Sequence, residues 1–275
     1  MTIRKVIVLG LGSIGSRHAH NLRALRPDAI QIHADPALGS CAASARPDLL
    51  SEEWRDWHVA LTTHSDADCA IIASPTPAHL EQMAECIWTH RIRGIYVEKP
   101  VCLVDEIEQC AAAVHYATGK PYAAGFQYRF AITESMRRSV RRTGFAFFYA
   151  RDDLVARYGR DCLGAMAAHP IDTALWLLGQ TRDVQIETDG VSVRGFVEHK
   201  NGRSVYDIRM DDGPRISYLN VHPLSADNRG YVDALSAWLR WVETGERDAR
   251  TATLADGLAV MDVISKVRKI KEAQC

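Results

Sequence analysis

The chain has 275 residues, enough for one large or two modest domains, and a hydrophobic share of 47%, ample for a core. A formal net charge of −1 and a pI near 6.8 supply no global field for nucleic acid or an anionic membrane surface, and no stretch has the apolar length that spans a bilayer, so neither partner is expected. The seven cysteines (Cys41, Cys69, Cys86, Cys102, Cys110, Cys162 and Cys275) contain no C-x-x-C pair and are odd in number, which argues against a metal site or a disulfide framework and for reduced thiols in the cytoplasm.

The first predicted element is the apolar run Val6–Leu9, a buried parallel strand, and a helix follows Gly15. Between them stands a G-x-G-x-x-G turn, Gly10-Leu11-Gly12-Ser13-Ile14-Gly15. Gly10 permits the tight turn, Gly12 lets the backbone approach a pyrophosphate, and Gly15 allows close helix packing. The phosphates would rest on the open N–H groups of the helix N-terminus, at Ser13 and Ile14. A second strand, Ala29–Asp35, ends on a carboxylate 20 residues past Gly15, where the adenosine ribose hydroxyls are bound. No Arg or Lys follows in Pro36–Ser40 to hold a 2′-phosphate, so NAD is expected and NADP is less favoured.

Further along, a helix is expected around Leu38–Ala45, a third strand at Val59–Thr63, and a buried strand at Cys69–Ala73. Helix resumes at Ala78, with Leu80, Met83, Ala84 and Ile87 at helical spacing. The strand Gly94–Val97 delivers Glu98-Lys99-Pro100 at its C-terminal end, the edge where open α/β sheets bind ligands. A helix from Val104 to about Thr118 precedes a last strand at Pro121–Phe130.

From Gly144 the pattern changes. Phe145–Ala150, Val184–Thr188, Val191–Val197, Ser204–Met210 and Arg215–Leu219 are strand-like, several alternating apolar with polar residues, and Asp189-Gly190, Asn201-Gly202 and Asp212-Gly213 mark turns. An antiparallel sheet with one covered face is expected, with a helix at Ala165–Leu178 that begins near His169-Pro170, and two closing helices at Tyr231–Thr244 and Leu254–Glu272. The fold class is therefore α/β: an N-terminal dinucleotide-binding Rossmann domain, 1–125, and a C-terminal α+β domain with an open, mainly antiparallel sheet, 126–275, with the reaction expected between them. Asp172 lies three residues after His169 and shares a helix face with it.

Taken together, Gly-Leu-Gly-Ser-Ile-Gly with Arg17-His18, Ser74-Pro75-Thr76-Pro77-Ala78-His79, Glu98-Lys99-Pro100, Phe126-Gln127-Tyr128-Arg129-Phe130 and His169-Pro170-Ile171-Asp172 resemble the glucose-fructose oxidoreductase and inositol dehydrogenase family (Gfo/Idh/MocA) over nearly the whole chain. The resemblance implies a nicotinamide-dependent oxidoreductase acting on a sugar, polyol or nucleotide-linked sugar, with Lys99 and His169 at the reacting carbon. It implies cofactor contacts from Ser74, Pro75, Thr76, His79, Glu98 and Lys99 beside the glycine loop and Asp35. Substrate contacts are implied for Lys99, Gln127, Arg129, His169 and Asp172. It also implies a last helix packed back on the nucleotide domain, and a homodimer or homotetramer formed through the C-terminal sheet.

The chemistry of these residues agrees with such a role. Removing a hydroxyl proton as hydride leaves carbon needs a base, which His169 supplies near neutral pH, and a cationic Lys99 would stabilise the developing alkoxide. In one respect the chain departs from the family, whose members usually carry an Asp three or four residues before the His. Met166 and Ala165 stand there, leaving Asp172 or Asp161 to serve the imidazole. Reduction of an imine or keto group on a non-sugar metabolite, and a nucleotide-binding regulator or structural subunit without chemistry, are the alternatives. The pairs Arg137-Arg138 and Arg141-Arg142 form a basic helical patch of limited extent, suited to an acidic group on the substrate.

Overall fold

The N-terminal apolar run forms β1 (Lys5–Leu9), and the chain passes through the glycine turn into α1 (Ser13–Leu25) and back into β2 (Ile30–Ala34). The computed structural model describes residues 2–38, 51–89, 92–143, 145–150, 163–209, 216–224 and 227–269, so most of the helix expected at Leu38–Ala45 lies outside the described residues. The third strand is β3 (Ser51–Trp54), followed by α2 (Trp57–Thr63), β4 (Cys69–Ile72), α3 (His79–Ala84), β5 (Gly94–Val97), α4 (Ile107–Tyr116) and β6 (Tyr122–Ala124). All six strands are parallel, in the order β3-β2-β1-β4-β5-β6, the doubly wound arrangement of dinucleotide-binding sheets.

Two expectations for this half are corrected. Val59–Thr63 is helical, because the Asp56 carboxylate accepts the N–H groups of His58 and Val59 at 2.8 and 3.2 Å and caps α2, overriding the β-branched residues. The strand expected at Pro121–Phe130 stops at Ala124, and Tyr128–Ala131 coils into a short helix, α5. Aromatic residues raise strand propensity, but here Arg129 and Phe130 bond back to the Phe126 and Gln127 carbonyls.

The chain forms two compact units, Met1–Gly125 with Tyr231–Leu258, and Phe126–Gly230 with Ala259–Cys275. The return to the first unit is made by α8 (Arg229–Thr244), after α6 (Glu134–Thr143) and α7 (Leu163–Leu178) in the second. Leu235, Trp238, Leu239 and Trp241 lie at helical spacing along α8, and they pack with Val6, Val8, Cys69, Ile71 and Tyr96, alternate residues from one face of the sheet. The Trp238 indole also donates to the Pro121 carbonyl at 2.9 Å, so its polar edge is satisfied inside the core. The last helix, α9 (Leu254–Ser265), ends seven residues before the expected Glu272, and the chain then enters a two-residue strand.

In the second unit, β7 (Phe145–Ala150), β8 (Thr181–Thr188), β9 (Ser192–His199), β10 (Gly202–Arg209), β11 (Ile216–Leu219), β12 (His222–Pro223) and β13 (Arg268–Lys269) form one sheet in the order β12-β11-β7-β10-β9-β8-β13. It is mainly antiparallel as expected, but β7–β10 and β8–β13 are parallel pairs. Neighbouring strands in sequence pair antiparallel through tight turns, whereas those two pairs join segments far apart in the chain. Along β10, Ser204, Tyr206 and Ile208 are buried while Arg203, Val205 and Arg209 face outward, and α7 lies against β9 and β10. His169-Pro170 falls inside α7, not at its start. Proline lacks the N–H for one helical bond. The Thr173 hydroxyl donates to the His169 carbonyl at 2.9 Å just beyond it.

A polar chain crosses this buried face. His199 Nδ1 donates to the Gly179 carbonyl at 3.0 Å, leaving Nε2 to accept from the Ser204 hydroxyl at 2.7 Å, which in turn lies 2.8 Å from the Tyr206 hydroxyl. Burial lowers the His199 pKa, against the opposing pull of the Gly179 carbonyl and the Glu198 charge. Between the folded pKa and the ordinary value near 6.5 the unfolded chain therefore binds more protons, and stability rises with pH. Denaturant unfolding should show the His199 contribution intact above pH ~6.5 and lost as pH falls through the folded value, with the slope reduced in His199→Gln.

Candidate functional site

The first unit assembles its polar groups at the C-terminal ends of β1, β2, β4 and β5. Gly10 has φ of +86°, and a Cβ there would stand 2.5 Å from the Ser74 nitrogen. A Cβ on Gly15 would stand 1.8 Å from the Gly10 carbonyl oxygen, so α1 touches the end of β1 with no room for a side chain. A Cβ on Gly12 would meet nothing within 4 Å, and Gly12 caps α1 without a side-chain hydrogen bond. This open, uncapped helix N-terminus at Ser13 and Ile14 has the form that receives a phosphate.

Asp35 stands at the end of β2, with Oδ2 accepting from the Leu11 N–H at 2.5 Å and Oδ1 from the Ala37 N–H at 2.8 Å. One carboxylate thus ties the glycine loop to the second strand. These residues fit a dinucleotide: the glycine loop would hold the pyrophosphate and Asp35 the adenosine ribose.

After β4 the Ser74 hydroxyl donates to Gln82 Oε1 at 2.6 Å, and Pro75 leads into a short 3₁₀ turn at Thr76–Ala78. His79, read from sequence as a cofactor contact, is buried, with Nδ1 2.8 Å from the Pro100 carbonyl and Nε2 2.8 Å from the Ser74 carbonyl. Its ring bridges the loops after β4 and β5, so its polar atoms serve the scaffold. Burial pushes its pKa down, while those carbonyls and the Glu98 charge pull it up.

Glu98-Lys99-Pro100 leaves β5 with Glu98 buried, Lys99 half-buried and the Lys99–Pro100 peptide cis. Glu98 Oε1 lies 2.7 Å from Nε2 of the buried His18 on α1. This contact between two segments far apart in sequence was missed from sequence, although His18 sits four residues before the core residue Leu22. A histidine on that inward face needs a partner.

In the second unit three consecutive residues meet one face of α7. The Gln127 amide donates to His169 Nε2 at 3.1 Å, the Tyr128 ring stacks on the His169 imidazole at 4.6 Å, and Arg129 holds Asp172. The last contact is two-pronged, with Nε 2.9 Å from Oδ2 and Nη2 2.5 Å from Oδ1, and both residues are buried. His169, Asp172 and Trp176 follow at i, i+3 and i+7, and the Arg129 and Arg137 guanidinium groups lie over the Trp176 ring at 5.7 and 4.1 Å. Arg129 thus grips the Asp172 carboxylate, and the Gln127 amide lies against the His169 ring. The other substitute, Asp161, lies outside the described residues. The Gln127 amide is the group that faces Nε2 of the ring, at 3.1 Å. Among the described residues no cluster of His, Cys, Asp and Glu is arranged to hold a metal, and no helix is long and apolar enough to cross a membrane.

The strand order, glycine cradle and Asp35 define the first unit as a dinucleotide-binding Rossmann domain. Residues 4–126 match the profile of the Gfo/Idh/MocA oxidoreductase family, described as its NAD-binding Rossmann fold.

A scyllo-inositol 2-dehydrogenase (NAD(+)) of Bacillus subtilis (strain 168) is 32% identical over 134 residues, which is 48% of this chain and 38% of that protein. Among solved structures, the WlbA (WbpB) dehydrogenase of Thermus thermophilus, in complex with NAD and UDP-GlcNAcA, shares the fold with a TM-score of 0.75 at 17% identity, over 100% of this chain and 97% of its own. The scyllo-inositol dehydrogenase of Lactobacillus casei, with bound NAD(H) and scyllo-inositol, does so with a TM-score of 0.74 at 16% identity, over 96% of each chain.

Removing one partner of a buried ion pair leaves an uncompensated charge and costs about 3–5 kcal/mol. Arg129→Leu should lower unfolding stability by that order in denaturant titration, and Asp172→Asn, which keeps the shape and an acceptor, by less.

Proposed function

We propose that the protein is an NAD-dependent dehydrogenase acting on a hydroxyl-bearing carbon of a polyol, sugar or nucleotide-sugar-like substrate, with Lys99 and His169 as the acid–base pair. The observation that carries this reading is Lys99 at the end of β5 in an NAD-binding sheet, with the buried Glu98 before it and the next peptide carbonyl, Pro100, fixed by His79. The relatives act on such hydroxyls by their names: an inositol dehydrogenase by sequence, inositol and UDP-sugar enzymes by fold.

When bound, NAD supplies the hydride acceptor. The chain's own residues would handle the proton and the oxygen. Lys99, as an ammonium group, donates to the substrate oxygen and stabilises the charge that grows on it as the carbonyl forms. His169 carries its lone pair on Nε2, the nitrogen beside Gln127, and takes the hydroxyl proton there once the amide yields to substrate. Tyr128 and Phe126 pack the imidazole face and edge, at 4.6 and 5.9 Å, limiting its rotation. Asp35 disfavours a 2′-phosphate by charge, which supports NAD over NADP.

A second reading, a nucleotide-binding protein without turnover, is favoured by one observation, Met166 and Ala165 at the positions before His169 where the resembled family usually carries an Asp.

Titration of NADH fluorescence should show binding with NADPH about tenfold weaker or worse, and Asp35→Ala should narrow that gap. With NAD and a panel of inositols and UDP-sugars, wild type should produce NADH, and Lys99→Ala should lower kcat by about 10²–10⁴ while NADH binding is retained. Full turnover in Lys99→Ala would remove that residue from the mechanism. NADH binding without turnover across the panel would favour the second reading.

A further inference from the structure

The 13 residues of α1 include no Asp or Glu, and its first residue, Ser13, is exposed beside a glycine cap that makes no side-chain hydrogen bond. The positive end of the helix dipole is thus left without a carboxylate from the helix itself. One turn further in, at i+4 from Ser13 and on the same face, stands Arg17. Helical side chains tilt toward the N-terminus, so Arg17 covers the turn on which a dinucleotide's pyrophosphate would rest.

The neighbouring arginines have protein partners. Arg23 donates to the Pro27 and Ala29 carbonyls at 3.1 and 3.3 Å, and Arg26 grips the Glu243 carboxylate at 2.5 and 3.0 Å. Arg17 is half-buried, yet among the described residues its guanidinium meets neither a carboxylate nor a carbonyl. What it meets is the Tyr231 ring of α8, with the guanidinium carbon 4.6 Å from the ring centre. Tyr231 is in turn set edge-on against the buried His18, the next residue of α1, with the ring centres 6.1 Å apart. A ring contact occupies the flat face of the guanidinium and leaves its edge N–H groups for a pair of oxygens, the geometry in which arginine holds a phosphate. A partly buried cation without a counter-ion carries a desolvation cost that an arriving anion offsets.

We propose that Arg17 is a phosphate-binding residue: its guanidinium, shelved on Tyr231, adds a bidentate, charge-assisted grip on a diphosphate at the N-terminal end of α1. Two molecules carry such a group, NAD and a nucleotide sugar. The first source needs only NAD binding, and the side-chain tilt favours it; the second rests on the substrate reading given above.

The test is binding to the full chain, followed by NADH fluorescence, with ADP-ribose, adenosine and UDP as further probes. Arg17→Gln should weaken NADH and ADP-ribose alike, by about tenfold or more, because both carry the diphosphate. The affinity for adenosine, which has no phosphate, should stay at its wild-type value. Arg17→Lys should recover part of the loss, since it restores the charge and not the fork. Tyr231→Leu should weaken NADH severalfold in the wild-type background and no further in Arg17→Gln, the mark of one shared contact. Thermal unfolding verifies that each variant is folded. If Arg17→Gln keeps its affinity for NADH and ADP-ribose while UDP binding to the NADH-loaded protein falls about tenfold in calorimetry, Arg17 still holds a diphosphate and the substrate owns it. Affinities for NADH, ADP-ribose and UDP that all stay within about twofold of wild type overturn the proposal. An equal loss of adenosine binding overturns it too, because the effect then does not act through phosphate. A wild type that turns over no substrate, with NADH still weakened in Arg17→Gln, refutes the dehydrogenase reading and leaves this assignment standing.

Discussion

The rest of the first unit depends on one steric contact, the approach of α1 to the end of β1 at Gly10 and Gly15, where a single added carbon would stand 1.8 Å from a carbonyl oxygen. Because the helix comes that close, its N-terminus is held at the mouth of the sheet, where the N–H groups and the dipole face the same point. The same approach brings the Leu11 N–H to Asp35, so the glycine loop and the Asp35 carboxylate are fixed together. It also sets the inward face of α1 against β5, where His18 finds Glu98. A parallel sheet buried on both faces leaves its strand ends as the place for polar chemistry, and this sheet uses four of them.

Both units hold charged or polar groups in their interiors, several of them in matched pairs. His18–Glu98, Arg129–Asp172 and the chain His199–Ser204–Tyr206 lie in places where an apolar side chain would pack at less risk. Burying an ion pair rarely adds net stability, since desolvation offsets the attraction. What such pairs supply is a penalty for every wrong arrangement, because a slipped register or rotated helix would strand a charge. Arg129 and Asp172 fix α5 against α7 in this way, and they hold Gln127 and Tyr128 at the His169 ring.

Much of this was legible in the amino-acid pattern, for physical reasons. An apolar run ending in glycines has few alternatives to a strand and tight turn, and a carboxylate at the end of the next strand has few neighbours but the loop beside it. The failures share a cause, which is that tertiary partners decide between equal local choices. Val59 and the two threonines suit a strand until Asp56 caps them into a helix. The pairing of Arg129 with Asp172 went unread as well, since nothing in their 43-residue separation shows that they bind each other. Nor does local alternation show that β7 pairs parallel with β10, since that pairing depends on a long crossover connection and not on a turn.

Both margins of the seven-stranded sheet are finished by very short strands, β12 at one side and β13 at the other, each two residues long. An unpaired strand is a template on which another chain can grow, and the hazard scales with the length left bare. Here β13 covers part of β8, an eight-residue strand that would otherwise present an open row of amides and carbonyls. The residues just after α9 therefore shorten the bare margin of the sheet at Glu187 and Thr188, a duty that has nothing to do with nucleotide or substrate.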